Sequence, residues 1–256
     1  EILYSAHSLI IEGWETSVNN PLNILDPNGA DIVYINLGGQ EVYRIKNKNI
    51  YKTYIQTSRS YTSPSKGNLG WKEVPMPKII QTRPSSNEDV SSEKYQKNDY
   101  LIAARTGYFN QAKNHGILKL YSEGGHEISS EEIRQIPDLD PTLVKAICIQ
   151  ESHAALISSD IMTSNNPGDW GDGKLKSAYG MKKKEKMSVT NSLYYGIRIL
   201  ATKGFKGGVK YDKKTGETSY EFKGWGNATN NFNGGGVRNY QNDVETMVRE
   251  SKPRKR

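Results

Sequence analysis

The chain is poor in cysteine and histidine and has no long apolar run. A lone cysteine, Cys148, in 256 residues excludes an internal disulfide. It lies inside an apolar segment and reads as a small core residue. The four histidines (His7, His115, His126 and His153) are scattered, with no His-x-x-x-His spacing. With one cysteine beside them, a dedicated transition-metal site is not expected, and neither is any cofactor. No stretch approaches the roughly 20 apolar residues that cross a bilayer, and mean hydropathy is -0.73, so no transmembrane segment is expected. The start has no basic-then-apolar leader and no initiating Met. The chain therefore reads as a piece of something longer, with its signal removed or with a delivery route that needs none.

What is present is an uneven charge. Residues 1–136 hold 15 of the 35 Lys and Arg and 15 of the 28 Asp and Glu; the remaining 20 and 13 place the whole excess of +7 in residues 137–256. Such asymmetry suits an anionic partner for the second half, such as nucleic acid, a membrane surface or an acidic polymer like cell wall. Lys182, Lys183, Lys184 and Lys186 form a solvated face or attract carboxylates, and the terminal Lys252-Pro253-Arg254-Lys255-Arg256 reads as a frayed end.

The expected fold class is α+β: a small, mostly-β module over residues 31–127, then a mainly α-helical domain over 128–256. Residues 31–45 read as a β-hairpin around Gly38-Gly39, and 50–55 as a third strand. Residues 56–98 read as loops with short ordered pieces near Trp71 and Ile79-Ile80. Tyr100-Leu101-Ile102-Ala103-Ala104 and residues 116–121 read as strands. From Ile128 the pattern turns helical. Ser129-Ser130-Glu131-Glu132 has capping-box spacing. A helix over 188–203 carries Leu193, Ile197 and Leu200, with Gly196 implying close packing against another helix. Residues 205–223 read as a basic excursion with a turn at Lys213-Lys214-Thr215-Gly216. A short helix follows over 225–232, and a last helix carries Val237, Tyr240, Val244, Met247 and Val248 on one stripe.

Glu151 carries the most chemistry. It ends the apolar segment from Asp140 to Ser152, which Asp140 can cap and in which Pro141 suits the first turn. Val144, Ile147 and Cys148 precede it by seven, four and three residues and share its helix face. A carboxylate ending a core-facing stripe is poorly hydrated, which raises its pKa, and a protonated carboxylic acid near neutral pH is what glycosidic cleavage requires. The alternative is a glutamate that emerges at the helix edge and meets a lysine.

Several motifs follow in order: Glu151-Ser152; the polar loop 160–170 with Asp160, Met162, Thr163, Asn165, Asp169 and Trp170; Ala178-Tyr179-Gly180; Gly196-Ile197-Arg198-Ile199-Leu200; and Trp225 leading to Phe232-Asn233-Gly234-Gly235-Gly236. This ordered set resembles the lysozyme-like superfamily, closest to lytic transglycosylases and goose-type lysozymes, over about residues 137–250. Those enzymes share a helix ending in Glu-Ser, a downstream Gly-Leu-Met-Gln and a late Tyr-Asn-x-Gly. Here Met162-Thr163 stands for Met-Gln and Phe232-Asn233-Gly234-Gly235 for Tyr-Asn-x-Gly. The Glu151-to-Met162 spacing is shorter than in transglycosylases, and the amide and hydroxyl of the family pattern are replaced.

A second stretch, Asn19-Asn20-Pro21-Leu22-Asn23-Ile24-Leu25-Asp26-Pro27-Asn28-Gly29, resembles the Asn-Pro-Leu-x-Tyr-x-Asp-Pro-x-Gly that closes the core of Rhs/YD-repeat polymorphic toxins, without the Tyr. Residues 1–30 are then the end of such a core or a linker; otherwise they contain an ordinary Asp-Pro-Asn-Gly turn.

Together the resemblances imply a lysozyme-like catalytic domain over 128–256 in an antibacterial toxin that cleaves the β-1,4 bond between N-acetylmuramic acid and N-acetylglucosamine. Glu151 would be the general acid. A transglycosylase reuses it as base on the muramoyl 6-hydroxyl. An inverting muramidase needs a second carboxylate roughly 6.5–9.5 Å away, with Asp169, Asp172 and Asp160 as candidates, each also a plausible loop-structuring residue. Met162, Thr163, Asn165, Trp170, Tyr179, Phe232 and Asn233 are the candidate substrate contacts, while Trp225 suits the core and His153 the surface. The implied partners are peptidoglycan glycan strands and an immunity protein, with no specific nucleic acid; the implied location is secreted, or delivered to a target cell's periplasm and wall. The rival functions are a non-catalytic wall-glycan-binding module and a basic nucleic-acid-binding or nuclease toxin, the latter without a recognisable motif.

Overall fold

The computed structural model describes residues 31–37, 40–46, 52–64, 68–165, 173–234 and 236–254. The Asn19 to Gly29 motif, Asp169, Trp170 and Asp172 lie outside them.

The chain is α+β, with a four-stranded sheet near its start and helices after it. Strand β1 (Ile32–Ile35) pairs antiparallel with β2 (Glu41–Ile45) and parallel with β3 (Lys52–Gln56), and β4 (Trp71–Val74) closes the order β2-β1-β3-β4. The expected hairpin and third strand are therefore present, and the alternation of side chains gives the sheet two faces. Val33, Ile35, Ile55 and Val74 pack on Ala103 and Ala104. On the other face Tyr34 stacks on Tyr54 at 4.9 Å and meets the edge of Trp71 at 5.3 Å.

Ala103 and Ala104 belong to α1 (Asp99–Asn114), where the sequence suggested a strand at 100–104. The helix is buried on almost every side: the sheet covers one flank, and the helical core takes Ile102, Tyr108 and Phe109 on the other. An all-round buried helix has no 3.6-residue polar stripe, so a short window of it looks like a buried strand. Gly107 lets the sheet come close, since a Cβ there would sit 2.5 Å from Val74 Cγ2. Residues 116–121 form no strand either; they contribute a single bridge, Tyr121 to Glu127, while Leu118 and Leu120 turn into the core.

The strands β5 (Thr82–Arg83) and β6 (Glu88–Asp89) make a small ribbon. Helix α2 (Ser130–Arg134) begins with the expected capping box: Ser129 Oγ accepts from the Glu132 N–H, and the Glu132 carboxylate accepts from the Ser129 N–H at 3.0 Å. In α3 (Pro141–Ser152), Asp140 accepts from the Thr142 N–H at 2.7 Å. Then come α4 (Gly173–Ala178), α5 (Val189–Lys203) capped by Ser188, the hairpin β7 (Val209–Tyr211) with β8 (Thr218–Tyr220), α6 (Trp225–Phe232) and α7 (Tyr240–Glu250). The basic excursion is thus that exposed hairpin.

One core cluster runs from Ile80 through α1, α3 and α5 to Met247, so the core does not divide at the boundary expected between residues 127 and 128. The end of the chain joins it. Lys252 bridges to Ile79, and the Arg254 guanidinium donates to the fully buried Asp99 carboxylate, so the tail to residue 254 is docked instead of frayed. Among the described residues no helix is long and apolar enough to cross a membrane, and no three His, Cys, Asp or Glu side chains are grouped to hold a metal.

Candidate active site

Helix α3 runs through the middle of the helical region, against α1 and α7. Every residue of it is buried except Leu143, which is half-buried, and Glu151, which is exposed. Even Lys145 is fully enclosed, donating to Asp99 Oδ2 at 2.8 Å and to the Gln96 side chain. The helix therefore reaches solvent at its last turn through one carboxyl group. That group forms no ion pair among the described residues; its partner is Tyr240 of α7, whose hydroxyl donates to Glu151 Oε1 at 2.5 Å. The glutamate meets a phenol and not a lysine.

Glu151 is open to solvent by area yet closely surrounded by the atoms of α3 and α7. The first property gives access; the second dehydrates the carboxylate. Burial raises its pKa above the ordinary carboxylate range, and the Tyr240 hydrogen bond pulls the other way. No charged side chain among the described residues contributes. Tyr240 itself is 4 % exposed and its pKa is raised, first by burial and then by Glu151.

The chain leaves α3 through an unusual turn. His153, Ala154 and Ala155 all have positive φ, at 51°, 56° and 68°. Each non-glycine residue in that region costs about 1–2 kcal/mol, so neighbours must hold the turn. Ser152 Oγ donates between the carbonyls of Cys148 (3.1 Å) and Ile161 (2.9 Å) and accepts from the Ala155 N–H at 3.0 Å. Asn98 Nδ2 donates to the Ala154 carbonyl at 3.0 Å. His153, expected at the surface, is half-buried: its Nδ1 lies 3.1 Å from Glu88 Oε2 and its Nε2 3.0 Å from Arg83 Nη1. Arg83 also donates to Gln150 Oε1 at 3.1 Å. Tyr95 donates to Glu88, which with His153 and Arg83 holds that carboxyl below its usual range. The β5–β6 ribbon thus clamps the end of the glutamate helix.

The loop beyond is tied by Ser192 of α5, whose hydroxyl accepts from the Met162 (3.0 Å) and Thr163 (2.9 Å) N–H groups and donates to the Thr163 carbonyl (2.7 Å). Met162 is 2 % exposed, and its side chain fills the space over Gly196, where a Cβ would come within 2.7 Å of Met162 Cγ. The close approach at Gly196 is therefore to this loop and not to a second helix, and the Met162 side chain is core instead of a substrate contact. Tyr179 is also core: it is 9 % exposed, its ring lies against Tyr121, its hydroxyl is 2.6 Å from Thr202 Oγ1, and burial pushes its pKa up to about 12. Trp225 packs on Phe109 and Phe222 and donates to the Pro137 carbonyl.

Thr163, Asn165, Asp160, Phe232 and Asn233 are half-buried. Asn165 donates to the Lys182 carbonyl, and Asn233 donates to the Val237 carbonyl at 3.1 Å. Asn233 also lines a cavity of about 290 Å³ between α6 and α7, together with Asn230, Val237, Asn239, Tyr240, Gln241, Asn242 and Glu245. This cavity shares Tyr240 with the Glu151 hydrogen bond but does not include Glu151 in its lining.

Sequence reasoning singled out Glu151 as a candidate and did not single out Tyr240, Ser192 or the Glu88–His153–Arg83 clamp. Tyr240 read only as a member of an apolar stripe, although a buried tyrosine hydroxyl needs a partner. Comparison of the chain with protein-family models, with curated proteins and with solved structures gives no match.

Proposed function

We propose that the chain is an antibacterial toxin whose helical region is lysozyme-like and degrades peptidoglycan, cleaving the β-1,4 bond between N-acetylmuramic acid and N-acetylglucosamine with Glu151 as general acid. The observation that carries the reading is the enclosed helix α3, solvent-exposed only at a carboxyl group whose pKa is raised by burial. A neutral carboxyl there can protonate the glycosidic oxygen as the bond breaks.

Among the described residues burial and not a neighbouring charge shifts Glu151, and a route that reuses one carboxyl needs no further group. Glu151, left ionised by the first step, takes the proton of the muramoyl 6-hydroxyl as the 1,6-anhydro ring closes. Hydrolysis remains the alternative, with a second carboxylate from Asp169, Asp172 or Asp160 activating water. The five side-chain amides around the cavity beside Tyr240 supply donors and acceptors suited to sugar hydroxyls and N-acetyl groups. In this reading the toxin acts in the wall of a target cell, and an immunity protein protects the producer.

Glu151→Gln keeps the shape and removes the proton. Wall lysis by the purified variant is expected to fall about 10²–10⁴-fold with little change in melting temperature. Lysis that survives the change sinks the reading. Mass spectrometry of digested wall then separates the routes: anhydro-muropeptides mark a transglycosylase, and reducing ends a muramidase.

A further inference from the structure

Two arginines meet between α1 and α5, away from the α3–α7 contact that holds Glu151. Arg105 and Arg198 are 8 % and 6 % exposed. Arg198 donates to the Tyr194 carbonyl at 3.1 Å, and its guanidinium lies 3.5 Å from the centre of the Tyr194 ring and 6.0 Å from that of Tyr108. Arg105 lies 6.0 Å from the same Tyr194 ring, and its Nε–H has no acceptor among the described residues. The groups that act on Arg105 are, after burial, Arg198, then Tyr108 and Tyr194; no carboxylate figures among them. Burial and Arg198 push the Arg105 pKa down to about 10, against the pull of the two tyrosines.

Two like charges taken out of water next to each other are unfavourable without a counter-charge. Tyrosine faces offset part of this, and the Tyr108 hydroxyl and the Tyr194 carbonyl take N–H bonds of Arg198, but nothing among the described residues accepts the Arg105 Nε–H. We infer that Arg105 and Arg198 form a binding site for a small dianionic oxyanion, with phosphate as the ligand chemistry. Two planar forks match its oxygens, and its charge equals theirs in magnitude. The limited exposure of both residues favours a free ion or a terminal phosphoryl group over the middle of a polymer. The inference is independent of the role of Glu151.

The test is thermal unfolding of the full chain in increasing sodium phosphate against sodium chloride at matched ionic strength. The expected result is a saturable rise in melting temperature with phosphate. Arg105→Met and Arg198→Met should each remove that saturable part and melt in chloride at or above the parent, since each relieves the repulsion of the other arginine. A general salt effect would be non-saturating and would survive in both variants. The inference is overturned by the absence of a saturable rise, by its persistence in the variants, or by variants that melt lower by the same amount in both salts. Calorimetric titration of the parent with phosphate and with O-phosphoserine supplies a reading that needs no variant. Binding of inorganic phosphate alone assigns the site to the free ion, binding of both assigns it to a phosphoryl group, and binding of neither refutes it.

Discussion

At the scale of single residues, the Glu151–Tyr240 hydrogen bond sets two influences against each other. Packing by α3 and α7 favours the neutral carboxyl, and the phenol O–H, a donor to Oε1 at 2.5 Å, favours the carboxylate. Tyr240→Phe removes only the second influence, so the pKa of Glu151 should rise further. A general acid works while protonated, so its activity falls as pH climbs through that pKa. The alkaline limb of the kcat/KM profile for wall lysis is therefore expected to move to higher pH in the Phe variant, while the rate on the acidic side changes by less than about tenfold. An alkaline limb that stays in place would show that another group governs it. The same bond explains why Tyr240 is enclosed at the start of α7 instead of presenting its hydroxyl to water.

At the scale of elements, the turn after α3 is the least expected feature. Alanine normally stabilises a chain relative to glycine, by restricting the unfolded state and by better helix propensity. At Ala155, with φ at 68°, that ordering should invert. Ala155→Gly relieves the left-handed strain and is expected to leave stability unchanged or raise it by about 1 kcal/mol, read from urea midpoints. A loss of 1 kcal/mol or more would show that the turn is not strained. The clamp supplied by Arg83, Glu88, Asn98 and Ser152 accounts for how a sequence without glycine at 153–155 adopts it.

The same elements show what could be read in advance. The capping box at Ser129, the Asp140 cap and the end of α5 near Gly204 were legible because each depends on residues within one turn of one another. Helix α1 was not, because both its flanks are buried and its polarity carries no period. The position of Glu151 was legible because an enclosed helix must end somewhere, and a carboxyl at that end is conspicuous. Tyr240 lies 89 residues from Glu151 and Glu88 65 from His153; pairings at that separation are set by how helices and ribbon dock, which no local pattern encodes.

At the scale of the whole molecule, the last described residues are joined to α1 and α3 through Asp99. Its carboxylate is fully buried; Oδ2 accepts from Lys145 and Arg254, while Oδ1 has no partner among the described residues. Burial pushes the Asp99 pKa up and that of Lys145 down, so the ionised cluster relies on its hydrogen bonds to offset dehydration. Arg254 approaches from the docked tail, next to the Ile79–Lys252 bridge, and its side chain keeps 19 % exposure. Arg254→Met leaves Asp99 with Lys145 alone, and the expected loss is about 1.5–3 kcal/mol, the value of one hydrogen bond to a buried charge. Ending the chain at Ser251 removes the bridge as well and should lower the unfolding midpoint further. Because α1 carries Asp99 and α3 carries Lys145, the loss should also appear as faster amide exchange in both helices and not only at the terminus. A truncated chain with the parent's midpoint and parent-like exchange in α1 would mean that the tail rests on the fold without stabilising it.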